Sequence, residues 1–119
     1  MTHAAALAAA LVLGGCSFVF VRGPGDPLPE QRPRCTSAPV APALDTVLVA
    51  AFAFASYTAH RRMADAKEGD DDLNSEFLRF QRDWALVAAL FEAGAATYGY
   101  VRTARCRSAK AQFDAAHAR

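Results

Sequence analysis

The sequence predicts an all-α protein whose ordered part is an antiparallel two-helix hairpin. All six prolines of the 119-residue chain lie between Pro24 and Pro42, so nothing downstream of Pro42 forces a helix to break. Alanine predominates from Ala43 onward, with arginine, leucine and glutamate among the rest, and these are strong helix formers. No period-two alternation or hairpin dipeptide supports a strand there.

The helices are expected over about 41–63 and about 74–110, parted by Gly69 and the run Asp70-Asp71-Asp72. Asn74 or Ser75 can cap the second, with carboxylates near the positive end of its dipole. Ahead of them, Gly23, Pro24, Gly25 and Asp26 open a Pro/Gly-rich stretch over residues 16–40, expected to be an extended, solvated tether without packed structure. The remaining division is a leader over 1–15 and a helical unit over 41–119.

Composition narrows the function classes. The net charge is +1 and charged residues are 21% of the chain, which leaves no basic footprint, so no nucleic-acid partner is expected. Hydrophobic residues reach 53%, with alanine the commonest, and they are gathered into three blocks, the pattern of membrane contact. A chain this small buries only about 60% of its unfolded surface and gains from a disulfide, a membrane or a partner.

The first block runs unbroken from Ala4 to Gly15, the length of a signal-peptide apolar core and too short to span a bilayer. It closes on Leu13-Gly14-Gly15-Cys16. That tetrapeptide resembles the lipobox of bacterial lipoprotein precursors. The resemblance covers the first sixteen or so residues and implies cleavage before Cys16, acylation of Cys16 and anchorage in membrane lipid. The segment Met1-Thr2-His3 departs from the pattern, because it carries no Lys or Arg. The alternative joins Ala4 to Val21 into one uncleaved helix of about 18 residues, in which Gly14 and Gly15 would each cost about 1 kcal/mol.

Acylation of Cys16 leaves Cys35 and Cys106, each just outside an apolar segment. An antiparallel hairpin brings them to the same end, and a disulfide there is expected in an oxidising compartment. Closing a loop of about 70 residues stabilises by roughly 4 kcal/mol in the chain-entropy account.

The hairpin can be membrane-spanning or soluble. The first helix carries Val47, Leu48, Val49, Phe52 and Phe54 around its whole circumference, with Asp45 its one charge near the start. His60-Arg61-Arg62 follow it, and Arg79 and Arg82 precede the second apolar segment beside Trp84, as at a cytoplasmic interface. Arg102, Arg105, Arg107 and Lys110 put comparable charge at the opposite end. The second segment, Trp84 to Val101, holds Glu92 near its middle, at about +2.5 to +3.5 kcal/mol on the insertion scale.

In water its large stripe, Phe77, Phe80, Trp84, Val87, Phe91, Tyr98 and Val101, would pack inward and leave Glu92 wet. In a bilayer the helix would turn over, presenting Ala85, Ala88, Ala89, Ala93, Ala96 and Gly99 to a ridge of Ala51, Ala55 and Ala59, with Glu92 directed toward Thr46. The spanning arrangement is favoured because the first helix has no polar face to give to water. Asp45 and Glu92 are then candidate intramembrane polar sites.

No catalytic group is expected. The sequence has no Gly-x-Ser-x-Gly elbow, phosphate loop or dinucleotide fingerprint. His3, His60 and His117 lie far apart, and no metal or cofactor is implied. Asp70, Asp72 and Asn74 match the first spacings of a calcium loop, but Ser75 stands at its glycine and Gln81 at its glutamate.

The expected role is a non-enzymatic accessory or assembly subunit of the bacterial cell envelope with envelope-protein partners. Its alternatives are a periplasmic, lipid-tethered adaptor with a soluble two-helix domain, and a proton-relay component using Asp45 and Glu92. The inner membrane is favoured, with both termini periplasmic. Ser17 after Cys16 instead resembles lipoproteins passed to the outer membrane, a route closed to a spanning hairpin.

Overall fold

The computed structural model describes residues 15–25, 30–66 and 72–118, the side chains of 72–74 excepted. The leader with His3, Leu13 and Gly14, the acidic turn with Gly69, Asp70 and Asp71, and the calcium-like side chains of Asp72 and Asn74 lie outside the described residues. The protein is all-helical. Three helices are described, α1 (Cys16–Phe20), α2 (Val40–Asp65) and α3 (Asp72–Ala116).

α2 begins where the prolines end. Pro39 sits at its N-cap and Pro42 in its first turn, where a missing N–H removes no helical bond. Arg62 lies in its last turn, beside the negative end of the dipole, and the chain leaves helical geometry at Ala66. α3 is longer than expected at both ends. It already runs through Asn74 and Ser75, so neither is its cap. It continues past Lys110 because Ala111, Gln112, Ala115 and Ala116 are helix-compatible. The extension is held by Arg32 on Asp114 (2.9 Å) and by stacking of Phe113 on His117 (4.0 Å between centroids).

The expected tether is where sequence and structure differ most. Its first residues form α1, which packs on both other helices, with Ser17 0% and Val21 4% exposed. The Pro/Gly-rich segment then closes on itself. The Thr36 N–H donates to the Arg22 carbonyl (3.0 Å), and the Arg22 N–H donates to the Thr36 hydroxyl (3.2 Å). That hydroxyl in turn donates to the Phe20 carbonyl (3.2 Å). Proline-rich composition favours an extended chain locally, and these bonds join its ends into a loop.

α2 and α3 lie side by side. Cys35 meets Cys106, Thr46 meets Tyr100 and Ser56 meets Arg82, so partner numbers fall along α3 as they rise along α2. The buried line of α3 runs through Leu78, Ala85, Ala89, Glu92, Ala96, Gly99, Thr103 and Cys106, with Ala95 buried beside it. From Ala85 onward its steps alternate between four and three residues, the rhythm of a left-handed helix pair. On α2 the matching line is Pro42, Asp45, Val49, Phe52, Ser56 and Ala59. Ala59 is buried and Ala55 half-buried as the expected ridge requires, but Ala51 is exposed, because a ridge of strict four-residue steps drifts off this seam.

Candidate functional site

The packing is inverted relative to a water-soluble protein. The largest fully buried side chains are Glu92, Asp45, Pro42, Cys106 and Ser17, and alanine makes up most of the buried apolar surface. The large apolar residues point outward. Phe54 is 68%, Leu90 67% and Val47 65% exposed, and Phe77, Phe80, Val87, Phe91, Tyr100 and Val101 are exposed with them. The stripe of α3 therefore faces away from α2, and its small face forms the seam. Phe18, Val19 and Phe20 of α1 continue this outer surface.

α2 is long and apolar enough to cross a membrane, with mean hydropathy 1.6 and only 11% of that window buried in the protein. It is the one described helix that meets this criterion, and Glu92 explains the deficit of α3. Arg82 pairs with its neighbour Asp83 at 2.7 Å, beside the α2–α3 contact at Ser56. At the other end Arg107 donates to the Ser37 carbonyl (3.0 Å), Lys110 to the Cys35 carbonyl (3.2 Å), and Arg102 lies over the Tyr98 ring (5.1 Å).

Cys35 and Cys106 are disulfide-bonded, with Cα atoms 5.8 Å apart. The bond ties the Pro/Gly-rich loop to α3 at the last residue of its buried line. Cys16 is the first residue of α1 and stands outside the disulfide.

Asp45 and Glu92 are brought together with Ser17, which no sequence signal marked as their neighbour. Asp45 is 0% and Glu92 2% exposed, and the charge of Asp45 is close enough to act on Glu92. The Ser17 N–H donates to Asp45 Oδ2 at 3.2 Å. Three oxygens here have no hydrogen-bond partner: Ser17 Oγ, Asp45 Oδ1 and Glu92 Oε2. Buried polar atoms are normally paired, so three together are an unusual deficit.

The expected approach of Glu92 to Thr46 is not found. The Thr46 hydroxyl donates to the Pro42 carbonyl at 2.8 Å and lies 3.4 Å from the Tyr100 hydroxyl, because residue 46 is one step off the seam. The wet position foreseen for Glu92 in a soluble arrangement is not adopted either. α1 closes the site from outside, with Phe18 against Phe91 and Tyr98 at 5.9 and 5.0 Å between ring centroids. Gly99 lets it approach, since a Cβ there would lie 2.9 Å from Ser17 Cβ and 2.8 Å from Pro42 Cβ.

Comparison with protein-family models, with curated proteins and with solved structures finds no match for the chain. The functional reading rests on these residues alone.

Proposed function

We propose that the protein is a non-enzymatic lipoprotein of the bacterial cell envelope, acylated at Cys16, with α2 and α3 forming an antiparallel hairpin through the inner membrane. Its role is that of an accessory or assembly subunit that packs against other membrane helices. The inverted surface carries this reading: small residues fill the seam while large apolar side chains face outward. Water would penalise that arrangement at about 25 cal/mol per Å² of exposed apolar surface, and lipid removes the penalty.

The dimensions agree. Val40 to Tyr57 and Trp84 to Val101 are each about 18 residues, or about 27 Å of helix, close to a hydrocarbon core of about 30 Å. His60, Arg61 and Arg62 then lie level with Arg79 and Arg82 on the cytoplasmic side. The disulfide and Cys16 fall on the periplasmic side, where oxidation and lipid attachment belong. Exposed small positions, Ala43, Ala50 and Ala53 on α2 and Gly94 on α3, offer close approach to a partner helix.

The rival reading is a lipid-tethered periplasmic adaptor that docks a partner on the aromatic stripe, and the shortfall of α3 as a span favours it. Leu90→Cys, with the native disulfide kept, separates the two. In the spanning hairpin a membrane-impermeant maleimide labels position 90 only after denaturation. Ready labelling in intact envelopes overturns the hairpin in favour of the adaptor.

A further inference from the structure

The last three turns of α2 carry a shallow groove of about 440 Å³, lined by Phe54, Tyr57, Thr58, Arg61, Arg62 and Asp65. These positions advance by steps of three and one, so they share one face of the helix, and none belongs to its buried line. Thr58 is half-buried and the other five are exposed. The chemistry changes in order along the axis. Phe54 is apolar, Tyr57 joins an aromatic ring to a hydroxyl, Arg61 and Arg62 are cations, and the anion Asp65 closes the helix.

Neither sign of charge is satisfied within the groove. The ion pairs among the described residues are Arg32–Asp114 and Arg82–Asp83. Asp65 follows Arg61 by four residues and Arg62 by three, the spacings at which helical side chains meet, yet it pairs with neither. It is also the last residue of α2, at the end of the helix dipole that favours a cation. A carboxylate there stands in an unfavourable field until positive charge reaches it from outside.

We infer that this groove binds a phospholipid of the cytoplasmic leaflet whose phosphate is followed by a primary ammonium group, the ethanolamine class. Arg61 and Arg62 take the phosphate, Asp65 takes the ammonium, and an acyl chain lies along Phe54. The inference rests on the spanning hairpin proposed above. In that hairpin Tyr57 ends the apolar span, and Arg61 and Arg62 lie about 6–7.5 Å further out, inside a headgroup layer of about 5–7.5 Å. Side chains on a helix lean toward its N-terminus, so all of these lean back toward the bilayer. Guanidinium groups match phosphate oxygens with paired N–H donors, and a ring with one polar tip suits the boundary. Asp65 stands one turn beyond the arginines, and in this lipid class the ammonium lies two carbons beyond the phosphate. An anionic headgroup without an amine would satisfy the arginines and leave Asp65 facing negative charge.

The test reads lipid preference. Protein purified from the envelope in mild detergent is titrated with phosphatidylethanolamine or with phosphatidylglycerol, and the lipid-bound fraction is measured by native mass spectrometry. The wild type is expected to hold phosphatidylethanolamine more tightly, against the order that the surplus positive charge of the groove alone would give. Asp65→Asn is expected to lower the ratio of the two affinities about fivefold, and Arg62→Gln to weaken both lipids about fivefold. Both side chains are exposed, and formation of the Cys35–Cys106 disulfide checks that each variant is folded. Glycerophosphoethanolamine, the same headgroup without acyl chains, is expected not to displace the lipid at equal concentration.

An affinity ratio unchanged by Asp65→Asn overturns the ammonium contact and the lipid class with it. Binding unchanged by Arg62→Gln overturns the phosphate contact, and displacement by glycerophosphoethanolamine overturns the lipid in favour of a soluble phosphate ester. Each of these leaves the spanning hairpin standing, because maleimide labelling at position 90 tests that separately. Ready labelling there overturns both.

Discussion

The close approach of α1 and α2 at Gly99 makes a quantitative demand on one hydrogen atom. In Gly99→Ala the new Cβ would stand 2.8 Å from Pro42 Cβ and 2.9 Å from Ser17 Cβ. Carbon atoms pack best at about 3.5–4.0 Å, so both neighbours must retreat by roughly 0.6–1.2 Å. Neither is a flexible side-chain tip. Pro42 is a ring within a helix, and Ser17 is tied through its own N–H to Asp45.

Overpacking of this kind costs about 1–3 kcal/mol. Gly94 supplies the control, since a Cβ there meets nothing within 4 Å. Both substitutions gain the same intrinsic helix preference, up to about 1 kcal/mol, so the term cancels in their difference. Gly94→Ala should be neutral or stabilising, and Gly99→Ala should fall about 1–3 kcal/mol below it. Unfolding in mixed micelles, followed by circular dichroism against the mole fraction of denaturing detergent, measures the gap. If Gly99→Ala proves as stable as Gly94→Ala, α1 does not dock in this groove and the buried polar site is not assembled as described.

Cys16→Ser should stop processing and leave a larger precursor without acyl chains, read as the intact mass of the purified protein. Loss of the disulfide in Cys35→Ser should destabilise by about 4 kcal/mol in the chain-entropy account, seen as a shift of the same unfolding curve; an unchanged curve would mean that the loop and α3 are held together there by other contacts. Glu92→Leu should improve insertion of the Trp84–Val101 segment by about 3 kcal/mol in a translocon assay, and no improvement would show that α3 does not use that segment as a span.

The helices were legible because proline exclusion and alanine content act locally, and local propensity needs no partner to express itself. The Cys35–Cys106 bond was legible for a related reason: both residues flank apolar segments, and the side-by-side arrangement brings their flanks together. Which face of α3 turns inward was written in the sequence twice, as an aromatic stripe and as a small-residue stripe, and only the solvent decides between them.

The neighbourhood of Asp45 was not legible. Ser17 lies 28 residues before it, across a segment whose composition says solvated loop, and a five-residue helix is too short to leave a periodic signal. The ridge alanine Ala51 missed the seam because a four-residue step was carried along α2 where the contact alternates three and four.

The closure of Arg22 on Thr36 changes the mechanics of the anchor. An open leash of about 20 residues could extend roughly 65 Å from the bilayer and sweep that whole radius for partners. With its ends joined the segment adds nothing to reach, since chain that leaves the membrane returns to where it started. Outward span falls instead to the last residues of α3, a stiff rod of about 22 Å from Val101 to Ala116. In the membrane reading proposed above, such a molecule would meet its partners by lateral diffusion in the bilayer, or at one fixed height just above it. It would work as a peg, with the periplasm beyond the end of that rod out of its range.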